Sequence, residues 1–302
     1  MTRAPSDRPD SDPHRIRGVH DRVLDWYAVH GRDLPWRRPD ASPWGVYVSE
    51  IMAQQTPIAR ILAPWRAWMA RWPTPAALAG DSVAEAIRAW DRLGYPRRAV
   101  NLHAAARVMV RDHGGEVPHD PEVLLTLPGV GAYTAAAVAS FAHGIPTPVL
   151  DTNVRRVLAR IALGEERAAP SQTRAERDLA AAWLPPDTAR ANVWNVASME
   201  LGALVCTARS PRCGECPVAD LCVWRRAGHP AYAGPVRRPP GYAGTDREIR
   251  GAVLAIVRTA TAPVPLAALS GLCPQPRLRR CLDALVTDGL LAVSRDGYDL
   301  PR

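Results

Sequence analysis

Four cysteines stand close together as Cys206-x6-Cys213-x2-Cys216-x5-Cys222, with Arg209 and Arg212 inside the first loop. Four thiolates can hold a tetrahedral zinc or a 4Fe–4S cluster; structural zinc sites usually show two Cys-x2-Cys pairs, so a single pair favours the cluster. Two carboxylates stand out by position. Glu50 is alone among apolar neighbours in Trp44-Gly-Val-Tyr-Val-Ser-Glu50-Ile-Met-Ala-Gln54-Gln55-Thr56. Such surroundings raise a carboxyl pKa and suit a general acid, unless the residue lies on the wet face of an amphipathic helix. Asp151, near the end of Gly144-Ile-Pro-Thr-Pro-Val-Leu-Asp151-Thr-Asn153, sits where a helix begins. It reads as an N-cap, and the positive helix end would keep it ionised and able to face a developing cation. A proton donor paired with an anionic stabiliser is the arrangement that glycosidic bond cleavage requires. The fourth feature is Leu127-Pro128-Gly129-Val130-Gly131 between two helical segments. It is either a packing turn or a hairpin whose backbone N–H groups grip a phosphate without reading sequence.

The elements that must position these residues are almost all helices. Apolar residues at three-and-four spacing predict helices over 17–30, 58–72, 82–92, 98–112, 121–126, 132–142, 152–163, 174–183 and 189–205, with Pro64 a kink in the second. The glycine- and proline-rich stretch 227–245 reads as a linker. Beyond it, helices over 246–259, 265–270 and 276–288 and short strands around Leu291 and Tyr298, turning at Asp296-Gly297, predict a small winged-helix-like α+β domain. A chain of 302 residues suits about two such domains. Residues 1–17 read as a disordered tail without a targeting signal. The uncharged stretch 123–150 is broken by prolines and glycines, which predicts buried helix, turn and helix rather than a membrane span. The net charge of +8 favours a polyanionic partner. All 38 basic residues are arginine, so chemistry that needs a lysine amine is excluded: Schiff-base lyases, pyridoxal enzymes and Walker-type phosphate loops. Clustered thiols fit a reducing cytosol.

Together and in this order, these features resemble the helix-hairpin-helix DNA glycosylases of the endonuclease III superfamily, most closely the MutY-type adenine DNA glycosylases, over about residues 18–226. The resemblance implies an N-terminal helix (18–38) packed with a cluster domain (144–226), and a six-helix barrel domain (39–143) carrying the hairpin. It implies a 4Fe–4S cofactor on Cys206, Cys213, Cys216 and Cys222, and a nucleoid-associated monomer acting on double-stranded DNA that carries adenine mispaired with 8-oxoguanine or guanine. It implies that Glu50 protonates N7 of a flipped-out adenine and that Asp151 stabilises the oxocarbenium sugar, with Tyr133 and Asn153 as their partners. Gln54 and Tyr95 are implied as wedges in the base stack beside Gln55 and Thr56; Arg32, Trp36 and Arg37 as the wall of the adenine pocket; Pro128, Gly129, Val130, Gly131, Arg209 and Arg212 as backbone contacts. Endonuclease III has its catalytic lysine two positions after the hairpin's second glycine; Tyr133 stands there, which implies a monofunctional glycosylase without lyase activity. Two departures are visible. Val196 replaces the Gln or Glu that many members use to bond the purine, and 246–302 is too short for the Nudix-like domain that reads 8-oxoguanine. The competing readings are a thymine glycosylase acting on T:G mispairs and a non-catalytic iron-sulfur DNA-binding regulator.

Overall fold

The computed structural model describes residues 12–235 and 241–302; residues 1–11 of the expected tail and 236–240 of the linker lie outside the described residues. In chain order the helices are α1 (Pro13–His30), α2 (Pro43–Ala53), α3 (Ile58–Arg71), α4 (Pro75–Ala79), α5 (Val83–Trp90), α6 (Arg97–Asp112), α7 (Pro121–Thr126), α8 (Ala132–His143), α9 (Thr152–Leu158), α10 (Arg174–Ala182), α11 (Thr188–Leu204), α12 (Val223–Arg226), α13 (Asp246–Thr259), α14 (Leu266–Leu269) and α15 (Gln275–Thr287), followed by strands β1 (Ala292–Val293) and β2 (Tyr298–Asp299). Two compact units emerge, one from residues 12–41 and 132–235, the other from 42–131 and 241–302.

In the first unit α11 packs against α1, α8 and α9 over a core that includes Val19, Val23, Val154, Val157, Trp183, Trp194, Ala197 and Leu201. The helix α1 starts earlier than the expected end of the tail. Asp12 caps it by accepting from the His14 N–H at 3.0 Å, and Pro13 takes the first turn, where a missing N–H does no harm. Arg15, expected in the tail, is buried and donates to the carbonyls of Ile161 (3.2 Å) and Leu221 (2.8 Å). The expected helix 152–163 widens after Leu158 into a π-helical turn, Ala159–Leu163, that closes on Gly164. Helix α8 belongs to this unit rather than to the hairpin's. Ser140 donates to Asn192 Oδ1 (2.9 Å) and accepts from Asn195 Nδ2 (3.0 Å), tying α8 to α11.

The second unit is built on tryptophans, with Trp68 edge-on to Trp72 (4.7 Å) and to Trp90 (5.7 Å), and with Trp44 donating to the Trp72 carbonyl at 2.9 Å. Helix α2, which no periodicity marks, is buried on all sides, every residue from Trp44 to Met52 lying in the interior. Pro64 lies inside α3 as expected. Residues 241–302 join this unit, with α13 packing on α5 and α15, and with Leu278, Leu282, Leu285 and Leu290 buried. The strands pair antiparallel, Ala292 with Asp299 and Val293 with Tyr298. Val264 adds an antiparallel bridge to Tyr298, with mutual hydrogen bonds of 2.8 and 2.9 Å, so the helix–strand–helix–helix–hairpin order of a winged helix is complete.

Candidate active site

Ser42 caps α2 by accepting from the Gly45 N–H at 3.1 Å, Pro43 opens the helix, and two turns later the chain delivers Glu50 into the interior. Glu50 is 7% exposed, which removes the reading of a glutamate on a wet helix face. A carboxyl buried between Ser49 and Ile51 is removed from water, the setting in which a general acid is found.

The end of α2 is held by a residue whose importance sequence reasoning missed. Arg98, 8% exposed on α6, donates to the carbonyls of Ile51 (3.1 Å), Met52 (3.3 Å) and Gln54, to Thr56 Oγ1 (3.3 Å) and to the Gly94 carbonyl (3.0 Å). Its guanidinium also lies 5.2 Å from the Tyr95 ring centroid. One side chain therefore ties Gln54-Gln55-Thr56 to Leu93-Gly94-Tyr95, the two turns expected to touch bases. Burial pulls the Arg98 pKa down from its ordinary value. All five acceptors are neutral oxygens, three of them at the negative end of α2. Gln55 and Tyr95 are exposed and both adopt left-handed backbone, φ 53° and 48°. Nearby, Val130 donates back to the Leu127 carbonyl at 3.1 Å to form the hairpin, and Pro128 to Gly131 are partly or fully exposed. Gly129 has φ 79°, and a Cβ there would meet Asn101 at 2.8 Å.

In the first unit α11 positions the loop that ends in Asp151. Asn195, 2% exposed, donates to the Thr147 carbonyl (2.8 Å) and accepts from the Val149 N–H (3.3 Å), and Asn192 donates to the Gly144 carbonyl (2.6 Å). Asp151 is the expected N-cap: Oδ1 accepts from the N–H groups of Asn153 (2.8 Å) and Val154 (2.6 Å), and Oδ2 accepts from Asn153 Nδ2 (2.7 Å). The electrostatic expectation needs correction. Burial pushes the Asp151 carboxyl above its ordinary value, and these three bonds pull it only part of the way back. Asn153 in turn accepts from Arg156 Nη2 (2.8 Å), and Arg156 donates to the carbonyls of Gly202 (2.7 Å) and Cys206 (2.7 Å). Gly202 permits this approach, since a Cβ there would lie 2.7 Å from Asn153 Cβ. Tyr133 occupies the second position of α8 and is partly buried.

Arg32 and Arg37 are brought together by Glu200, another residue that sequence reasoning missed. Glu200 is 0% exposed; its Oε1 accepts from Arg32 Nε, and its Oε2 accepts from Arg32 Nη2 and Arg37 Nη1, both at 2.9 Å. Burial pushes this carboxyl up, but the two guanidinium groups outweigh it and hold it below the usual carboxylate range. Trp36 is buried between them in the sequence, on a short 3-10 turn.

The four cysteines line one small cavity with Arg160, Ile161, Leu201 and Trp224. Burial pushes the Cys216 thiol up to about 12, so thiolate there needs metal charge to form. Arg160, 1% exposed, lies under the first ligand, donating to Cys206 Sγ (3.3 Å) and to the carbonyls of Thr207 (2.8 Å) and Glu166 (2.9 Å). Arg209 is exposed, whereas Arg212 is engaged within the cysteine loop, donating to the Leu204 carbonyl and pairing with Glu215 at 3.0 Å.

Residues 48–183 match the HhH-GPD superfamily base excision DNA repair protein family, and residues 206–222 match the iron-sulfur binding domain of endonuclease III. The chain is 52% identical to the adenine DNA glycosylase of Mycobacterium tuberculosis (strain CDC 1551 / Oshkosh) over 283 residues, 92% of each protein. It is 42% identical to the adenine DNA glycosylase of Homo sapiens over 221 residues, 70% of this chain and 40% of that one. The solved structure of a thermostable thymine-DNA glycosylase superposes with a TM-score of 0.64 at 26% identity, covering 72% of this chain and all of that one. Fold and site thus define a helix-hairpin-helix DNA glycosylase of base excision repair whose cofactor is a 4Fe–4S cluster. Within that class, the chain belongs to the adenine DNA glycosylase family. Among the described residues no helix is long and apolar enough to cross a membrane.

Proposed function

We propose that the protein is a monofunctional glycosylase that removes adenine mispaired with 8-oxoguanine or guanine, acting as a monomer on nucleoid DNA. Glu50 is the general acid: it protonates adenine N7, which makes the base a competent leaving group. The C1′–N9 bond then breaks, adenine departs with its electron pair, and the sugar is left as an oxocarbenium ion. Asp151 faces that cation, and its partial removal from water strengthens the interaction as the charge develops. Water adds to C1′ and its proton passes to the Glu50 carboxylate, which restores the acid. Asn153 orients Asp151, and Tyr133 lies where a lyase would carry lysine. Gln54, Gln55, Thr56 and Tyr95 meet the base stack, Arg32, Trp36 and Arg37 wall the extruded base, and Pro128 to Gly131 with Arg209 hold the phosphate backbone. Cys206, Cys213, Cys216 and Cys222 hold the cluster, which supplies iron–thiolate cross-links that fix this loop.

The observation that carries this reading is the burial of Glu50 on a helix whose residues from Trp44 to Met52 are all buried, which takes the carboxyl out of water and suits it to act as a general acid. The experiment is single-turnover cleavage of duplexes carrying A opposite 8-oxoguanine, A:G, A:C, A:T and T:G, with hot alkali to reveal abasic sites. Fastest cleavage is expected for A opposite 8-oxoguanine and none for A:T. Faster cleavage of T:G would favour thymine removal, the reading that the 26% identity to a thymine-DNA glycosylase structure supports. Binding without cleavage of any duplex would favour the regulator.

A further inference from the structure

The turn between α5 and α6 is strained in a way its own sequence does not relieve. Asp91 has φ 41°, Gly94 φ 79° and Tyr95 φ 48°, so two non-glycine residues of one short turn hold left-handed backbone. Such a conformation persists only where the surroundings over-determine it. Here the turn's carbonyls are gripped by donors from outside it. Arg60 donates to the Arg92 carbonyl at 2.6 Å, and Trp90 Nε1 and Arg98 donate to the Gly94 carbonyl at 2.9 and 3.0 Å. The remaining grip comes from residues 241–302. Arg258, on the last turn of α13 with its side chain 13% exposed, donates to the Asp91 carbonyl and pairs with the Asp91 carboxylate at 3.0 Å. At the exit of the turn, Arg97 pairs with Asp288 at 3.1 Å, and Asp288 is itself held by Arg250 of α13.

We infer that the C-terminal winged-helix-like domain is a brace for the 91–97 turn, with Arg258 and Asp288 as positioning residues that set the presentation of Tyr95. The domain thereby contributes to opposite-base discrimination without contacting the lesion itself. This rests on the reading that Tyr95 meets the base stack. The brace differs from a role in which the domain only adds sequence-independent contacts to the phosphate backbone. A free basic winged helix would keep its recognition-helix arginines available, yet Arg277 and Arg280 of α15 both pair with Asp246 (2.8 and 3.0 Å); Arg279 of the same helix is exposed.

The test uses the full chain with its cluster. Hydrogen exchange read by mass spectrometry on free protein compares wild type with Arg258→Ala, and single-turnover excision gives the ratio of rates on A opposite 8-oxoguanine and on A:G. Arg258→Ala is expected to speed exchange within 91–97 by about 10-fold while α8 is unchanged, and to lower the ratio by about 3- to 10-fold. The Tyr95→Ala/Arg258→Ala double variant should lose no more of the ratio than Tyr95→Ala alone, because both changes act through the same side chain. Arg279→Ala, which removes an exposed charge from the same domain, should leave exchange and ratio as they are. Unchanged exchange in Arg258→Ala overturns the brace whatever the activity. Faster exchange with an unchanged ratio, while Tyr95→Ala collapses it, overturns the functional link and leaves the Tyr95 reading standing. Equal losses from Arg279→Ala and Arg258→Ala would assign the effect to charge. An unchanged ratio in Tyr95→Ala would remove the reading of Tyr95 and the inference with it.

Discussion

Replacing Arg98 with Ala removes the hydrogen bonds from one buried guanidinium to five oxygens, and the structure allows the loss to be sized. The Ile51, Met52 and Gln54 carbonyls belong to the last turn of α2, where a helix has no intrahelical donors to offer. The Gly94 carbonyl and Thr56 hydroxyl lie in the two adjoining turns. A buried acceptor left unsatisfied costs about 1–3 kcal/mol; the Gly94 carbonyl keeps Trp90 Nε1, the Gln54 carbonyl keeps the Thr56 hydroxyl, and water entering the cavity left by the side chain would recover part of the rest, so the total is about 3–5 kcal/mol. At about 2–4 °C for each kcal/mol in a chain of this size, the melting temperature should fall by about 10 °C. Arg98→Lys should recover less than half of that, since an ammonium is a point donor and cannot fork across both turns. Activity should suffer beyond stability, because Gln54 and Tyr95 lose their common anchor: the ratio of excision from A opposite 8-oxoguanine and from A:G should drop even at temperatures where Arg98→Ala is folded. Melting followed by circular dichroism, with single-turnover excision at 15 °C, measures both. An Arg98→Ala protein that melts within 2 °C of wild type and keeps its ratio would refute the assignment of Arg98 as the common anchor.

Glu50→Gln preserves size in the buried helix and should keep DNA affinity while lowering the single-turnover rate by about 10²–10⁴-fold, the usual worth of general-acid catalysis; a near wild-type rate would unseat Glu50 as the acid. Because the sequence contains no lysine, borohydride should trap no enzyme–DNA adduct above background and the abasic strand should stay intact until alkali is added, whereas efficient trapping would contradict monofunctional hydrolysis. Glu200, held below the usual carboxylate range in the folded protein, contributes stability that is fully present above its unfolded value of 4.5 and is lost as pH falls through the lower folded value. Glu200→Gln should therefore lower neutral-pH stability by about 2–4 kcal/mol and flatten the acid limb of a denaturation curve, and an unchanged acid limb would count against the Arg32–Glu200–Arg37 assignment.

How much of this was legible in the sequence follows from how each residue type announces itself. Spacing is local, so the helices, the hairpin, the cysteine loop and the Asp151 cap could be read directly from it. Helix α2 escaped because a segment buried on every side has no apolar stripe, and the same uniformity hid how deeply Glu50 lies. The start of α1 was available in Asp12-Pro13, a cap followed by a first-turn proline, but a run of charge and proline obscured it. Val264 forms its bridge between two prolines, too short a stretch to read as a strand. What could not be read was the use of the arginines. A surplus of them suggests a polyanion, and exposed ones such as Arg209 remain free to serve one. Arg15, Arg98 and Arg160 are instead buried and donate to backbone carbonyls, with partners up to 206 residues away in the chain. A charge count cannot separate the two uses. Composition contains the hint, however: lysine is absent, and a planar fork with five donors is the basic side chain suited to holding several carbonyls at once in a dry interior. The arginine surplus is thus in part an internal scaffold, and only the remainder is charge available to DNA.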